Sequence, residues 1–336
     1  MTPPTMTPDT LNTEPRPRTP AHTLHIVSGK GGTGKTTIAA ALACALATSG
    51  RRVLLCEVEG RHGISELFGM APLVKDEERR LCRTPAGGLV FGLSIDAEDA
   101  LLEYLETFYR LGLAGRALDR FGVIDFATSI APGLRDVLLT GKVYEAVRRG
   151  VRKRPGAYDA VVVDAPPTGR ISQFLNVHEA VSGLAKVGPI RSQADSIMDM
   201  LHSSTSVVHL VTLLEDMPVT ETEEAVAALQ PTGIKVGSVI ANMVTPNPLD
   251  PEVLGTAASG GITLRVPGLS AAQNEALAAE FSVEAARRLE ENERRETLSL
   301  LGLPVVDVTF DPGGIDEGSL FTLAAQLRDQ MTTEVA

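Results

Sequence analysis

Gly29-Lys30-Gly31-Gly32-Thr33-Gly34-Lys35-Thr36-Thr37 decides the fold. The stretch fits GxxxxGK[ST], and its flanks fit as well. Residues 24–28 form a short apolar run of strand type, and residues 36–48 an Ala-rich run of helix type. The glycines Gly29, Gly31, Gly32 and Gly34, with Thr33, let successive backbone N–H groups turn inward around phosphate oxygens. The N-terminus of the helix that follows adds its dipole. The spacing directs Lys35 to the β- and γ-phosphates of a nucleoside triphosphate, the Thr36 hydroxyl to Mg2+, and Thr37 to the α-phosphate. Lys30 is an extra lysine at the start of the loop, the deviant Walker A pattern. In ATPases of that pattern it reaches across a dimer to the phosphates of the facing subunit, a cation supplied in trans like an arginine finger. A solvated loop lysine is the plainer alternative.

Two acidic strand ends accompany the loop. Val161-Val162-Val163-Asp164 is a β-branched run closed by a carboxylate. This is the Walker B arrangement, with Asp164 expected on Mg2+ directly or through water. Ala165-Pro166-Pro167-Thr168-Gly169-Arg170 follows, a stiff turn suited to sensing the γ-phosphate. The strand at residues 52–58 leads into Cys56-Glu57-Val58-Glu59. Carboxylates at i and i+2 lie on one side of a strand. Glu57 is expected as a metal ligand and Glu59 beside the attacking water; an exposed acidic strand end fits the same residues.

Further strand patterns lie at 89–95, 207–214, 236–241 and 304–309. Helical patterns cover 98–150, 177–203, 220–230, 269–299 and 318–331. Continuously apolar strands alternating with helices imply an α/β fold: a doubly wound, mostly parallel sheet of the P-loop NTPase type. The helical stretches at about 98–150 and 177–203 read as insertions. With one glycine loop and no internal repeat, residues 23–331 read as one ATPase domain. The Pro/Thr-rich residues 1–22 read as a disordered tail, and 332–336 as a second tail.

A formal charge of −11 argues against a nucleic-acid partner. The basic run Arg148, Arg149, Arg152, Lys153 and Arg154 follows a helix and reads as its solvated end. Cys44, Cys56 and Cys82 form no CxxC pair, and their odd number points away from a disulfide framework and towards the cytoplasm. No apolar run reaches the roughly 18 residues of a transmembrane span.

Taken together, these motifs resemble the ArsA-like anion-transporting ATPases, which include arsenite-pump and tail-anchored-protein-targeting ATPases. KGGTGKTT is the shared first motif. DAPPTGRISQFL is similar to the family's DTAPTGHTLRFL, and CEVEGRHGISELFG to its TDPAHSLSDAFG segment. The resemblance implies ATP and Mg2+ as cofactors and places Glu59 where the family has its water-activating Asp. LLEDMPVTETEEAVAAL is similar to a family segment whose acid contacts nucleotide, which implies that role for Glu215. VIANMVTP resembles the strand end whose Asn reads the adenine edge, which implies Asn242. A cap carboxylate and a turn-former before Pro246 remain the alternatives for these two. Glu59 is one methylene longer than Asp, Arg170 replaces a His, and the CxxC of the targeting branch is missing. The resemblance implies a dimer, of this chain or with a close paralogue, that hydrolyses ATP to handle an unidentified protein or anion cargo. A nucleotide-gated binding subunit with little turnover and a partitioning or division-site ATPase are the competing expectations.

Overall fold

The computed structural model describes residues 23–48, 50–58, 60, 62–97, 99–100, 134–151, 157–177, 189–246 and 249–331. Its centre is β1 (Leu24–Gly29), every residue of which is buried. The chain then runs through α1 (Lys35–Leu46), β2 (Arg52–Glu57), α2 (Gly63–Leu67), β3 (Arg79–Arg83) and β4 (Leu89–Ser94). After α3 (Leu134–Val151) come β5 (Ala160–Asp164), α4 (Thr168–Leu175), α5 (Pro189–Leu201) and β6 (Ser206–Thr212). The remainder is α6 (Asp216–Leu229), β7 (Val236–Val244), α7 (Pro251–Ala258), α8 (Ala271–Ser299), β8 (Val305–Thr309) and α9 (Glu317–Gln330).

The strands form one sheet in the order β3-β4-β2-β5-β1-β6-β7-β8. All pairings are parallel except β3 with β4. This is the doubly wound α/β fold expected. The chain builds outwards from β1 on one side through β2 and β4, returns with β5, and then crosses to the other side with β6. That reversal opens a crevice at the carboxyl ends of the strands, where open α/β sheets bind ligands.

Side-chain alternation sorts the strands between two cores. Leu24, Ile26, Leu54, Cys56, Val161 and Val163 face one core, which includes Val143 of α3, Ile171 and Phe174 of α4, and Ile197 of α5. Val27, Val53, Leu55, Ala160 and Val162 face the other, with α1 and α9. Both faces are covered, so the strands read as continuous apolar runs.

Helix α1 is buried on nearly all sides. Its alanines allow close packing under α9, whose Leu320, Leu323 and Leu327, with Met331, are buried against it. Ile197 and Leu201 are core residues, with Met200 partly buried beside them. The three cysteines are free and buried. Cys44 and Cys82 sit side by side, their Sγ atoms 4.0 Å apart.

Four elements depart from the sequence patterns, the short helix α2 (Gly63–Leu67) being one. β3 was not expected: Arg79-Arg80-Leu81-Cys82-Arg83 is a short edge strand with three exposed arginines, and only Leu81 and Cys82 pack inwards. α4 continues the turn after β5 as a helix, and α7 begins at Pro251 under an Asp250 cap whose side chain accepts from the Glu252 N–H. Of the helical expectation at 98–150, residues 98 and 101–133, with Leu101, Leu102, Leu105, Phe108 and Tyr109, fall outside the described residues and 134–150 form part of α3, while most of 177–188 also falls outside them. Among the described residues no helix is long and apolar enough to cross a membrane.

Candidate functional site

The loop between β1 and α1 folds back on itself. The backbone N–H and the hydroxyl of Thr33 both donate to the Lys30 carbonyl, at 3.3 and 2.9 Å. Gly32 and Gly34 have φ of 89° and 84°, a left-handed backbone costly to other residues. Gly29 is required by packing, since a Cβ there would lie 2.2 Å from the Val211 carbonyl oxygen of β6. Gly34 is required twice over, because its Cβ would also meet the Asn242 amide nitrogen at 2.3 Å.

The loop is shaped for an anion. Helix α1 starts without a capping side chain and without an acid in its first turn, so its dipole and first N–H groups face the loop. Lys35 is only 8% exposed. It is the first residue of α1, next to the loop.

Beside the loop, the carboxyl ends of β2, β5 and β1 bring the acids together. Register places Glu57 opposite Asp164, and Asp164 opposite Val27. The Thr36 hydroxyl donates to Asp164 Oδ2 at 2.7 Å. Glu57 is 2% exposed; its Oε1 accepts from the Gly63 N–H at 3.0 Å, while its Oε2 is buried without a hydrogen-bond partner. A buried carboxylate oxygen left over is costly, and a cation answers that cost. A Cβ added to Gly63 would lie 3.2 Å from Thr36 Cγ2, so Gly63 lies against the same point. Among the described residues no group of three or more His, Cys, Asp or Glu could hold a metal ion. The hydroxyl of Thr36 and the carboxylates of Asp164 and Glu57 are the hard oxygen donors that suit Mg2+, which takes its remaining ligands from water and a substrate's phosphates. Glu59, expected beside the attacking water, lies outside the described residues. His62 has a left-handed backbone (φ 57°) and precedes α2.

The turn after β5 is tied down at several points. The Ser28 hydroxyl donates to the Pro166 carbonyl at 2.7 Å. The Thr168 hydroxyl donates to Glu221 Oε2 at 3.2 Å, and Lys30 Nζ pairs with Glu221 Oε1 at 2.7 Å. Arg170 is half exposed and faces Asp136 of α3 at 3.6 Å. Burial pushes the Asp136 carboxyl above the usual range, with Arg170 and Arg135 opposing.

On the other side of the loop, Asn242 on β7 donates its amide nitrogen to the Thr33 carbonyl at 2.9 Å. Asn242 thus braces the loop as well as lining a cavity of about 850 Å³. Glu215, the residue before α6, lines that cavity too, with Leu214, Met243, Arg294 and Phe310. Met243 and Phe310 are 47% and 48% exposed. This volume suits a small organic ligand. A smaller hollow of about 310 Å³ lies at Thr36, Thr37 and Gly63.

The site thus gathers Lys30, Lys35, Thr36, Glu57, Asp164 and Asn242 from five separate elements and loops. Glu221, Ser28, Met243 and Phe310 were not singled out in the sequence. Only Glu221 carried a signal, as the first acid of Glu221-Thr222-Glu223 within a recognisable segment.

A P-loop ATPase is the class that this fold and loop define. The anion-transporting ATPase profile matches residues 22–207, and the chain belongs to that family. ATPase BagA of Mycobacterium tuberculosis is 48% identical over 316 residues, covering 91% of this chain and 93% of that protein. A putative arsenical pump-driving ATPase of Aquifex aeolicus is 27% identical, over 66% of this chain and 80% of its own length. The ATPase GET3 of Kluyveromyces lactis is 26% identical, over 55% of this chain and 54% of its own. The protein is accordingly an ATPase.

Proposed function

We propose that residues 23–331 form one Mg-dependent ATPase domain that works as a dimer, of identical chains or with a paralogue. ATP binding closes the dimer, and hydrolysis reopens it to take or release an unidentified protein or anion cargo in the cytoplasm. The observation that carries this reading is the contact of Thr36 with Asp164 beside the orphaned oxygen of Glu57. Loop, Walker B acid and a second acid meet at one point, where the γ-phosphate of ATP bound in the loop would end.

In this reading Lys35 and the loop N–H groups hold the phosphates. The base enters the cavity between Glu215, Asn242, Met243 and Phe310. Mg2+, when bound, neutralises charge on the β- and γ-phosphates, and Thr36, Asp164 and Glu57 are the residues that would hold it. Glu59 orients water for in-line attack. Lys30 of each subunit serves the phosphates of the other, where charge grows in the transition state. Gly63 and Asp164 both lie against Thr36, so the loss of phosphate moves the segments that carry them, 57–64 and 164–170.

The test is phosphate release from Mg-ATP over a range of protein concentrations, with Lys30→Ala alongside. Specific activity should rise with concentration and fall by about 10³-fold or more in the variant, the range of a trans-acting cation. Activity that is flat with concentration and indifferent to Lys30 would rule out shared active sites. A nucleotide-gated binding subunit is the second reading, favoured by one observation: Lys30 is paired within its own chain. Tight ATP binding without turnover at any concentration would select it.

A further inference from the structure

Glu221 touches two elements that must respond to the γ-phosphate. It lies on α6, away from the loop and the strand ends in sequence, yet both of its oxygens are committed there. Oε1 takes Lys30 Nζ at 2.7 Å, and Oε2 takes the hydroxyl of Thr168 at 3.2 Å. Thr168 is 6% exposed and opens α4 just after the Pro166-Pro167 turn. Lys30 and Glu221 are each about 30% exposed, so the pair is at the surface and can be parted.

An ammonium bound this way points back along its own subunit. Reaching phosphates on a facing subunit requires that it leave the carboxylate. A single carboxylate is a weak competitor against a triphosphate of several charges, so the exchange is driven only when a loaded partner arrives. Parting the pair leaves Glu221 still holding the Thr168 hydroxyl, so the lysine's departure is felt at the turn after β5.

We propose that Glu221 is a positioning residue: it parks Lys30 in cis, couples it to the turn at Thr168, and sets the threshold for pairing of two loaded subunits. This rests on the reading of Lys30 as a cation that acts in trans. It accounts for a lysine of the trans-acting pattern being bonded within its own chain. Glu221→Gln keeps an acceptor for Thr168 and removes the charge that holds Lys30.

The test has two arms, both on the full chain. In the first, Lys30 is acylated with an N-hydroxysuccinimide ester at low protein concentration, without nucleotide, and its labelling rate is read by peptide mass spectrometry. Lys75, which pairs with Asp96, is the internal reference. Glu221→Gln and Glu221→Ala should label Lys30 about two- to fivefold faster, the scale of an exposed ion pair, with Lys75 unchanged. In the second arm, the protein concentration giving half-maximal ATPase activity should fall by a similar factor, and Lys30→Ala/Glu221→Gln should behave as Lys30→Ala alone. Unchanged labelling overturns the proposal, as does faster labelling with an unmoved or higher midpoint. Wild-type activity that does not depend on concentration would instead sink the two-subunit reading. The labelling arm, which needs no partner, keeps these two failures apart.

Discussion

Gly34 is held by two independent constraints, a φ of 84° and an amide nitrogen where its Cβ would stand. The left-handed backbone alone costs about 1–2 kcal/mol for alanine, and the overlap must displace Asn242 from Thr33. Gly34→Ala should therefore abolish nucleotide binding, read by the fluorescence of a labelled ATP analogue. Gly34→Ala/Asn242→Ala should recover part of it, because one of the two constraints is gone. Asp136 gives a prediction in pH. Burial holds its carboxyl above the ordinary value in the folded chain, against the pull of Arg170 and Arg135. A raised acid contributes stability that is fully present below its unfolded value and is lost as pH rises through the folded one. Asp136→Asn removes that loss, so its stability relative to wild type should improve between about pH 3.5 and pH 7. Urea midpoints at both ends would show it, and a constant difference would contradict it. At this scale the loop was legible because its nine residues are contiguous and each has one job. Glu221 stood in a recognisable segment, but its role did not show, because its partners Lys30 and Thr168 are remote in sequence and pairing through space leaves no periodic trace.

Helix α1 shows how an element can be legible in kind yet hide its context. Its alanines predict a helix, but they do not say that α9 covers it. Leu42 has no exposed surface. Leu42→Ala should cost about 2–5 kcal/mol, measured as a lower urea midpoint with an unchanged slope, and should leave the loop's affinity for ATP intact in the fraction that folds. The strands β1 and β5 were readable because a strand buried on both faces is apolar throughout. β3 was unreadable for the opposite reason, since only Leu81 and Cys82 of this edge strand pack inwards and its arginines, which discourage further pairing, break the apolar pattern. α6 starts earlier than its pattern suggested because Pro218 sits in its first turn, where a missing N–H costs nothing.

For the molecule as a whole, a ligand that binds only the folded chain stabilises it by mass action. Mg-ATP at about a hundred times its dissociation constant adds about 2.7 kcal/mol. That should raise the melting temperature by roughly 4 °C for a chain of this size. Lys35→Ala should lose the shift, and a full shift in that variant would remove Lys35 from the site. The sheet order was implied only loosely by the sequence, because which strands become neighbours is decided by packing of the whole. That order has a consequence for synthesis. β1 is synthesised well before its neighbours β5 and β6, which begin only at Ala160 and Ser206. At roughly 5–20 residues per second, the nascent strand waits on the order of ten seconds with its apolar residues and both hydrogen-bonding edges unclaimed. The segment that will hold the nucleotide is thus, during translation, the one most in need of a chaperone. Adding ATP to a stalled-chain series should protect it from proteolysis only in nascent chains that have exposed residues well beyond Thr212.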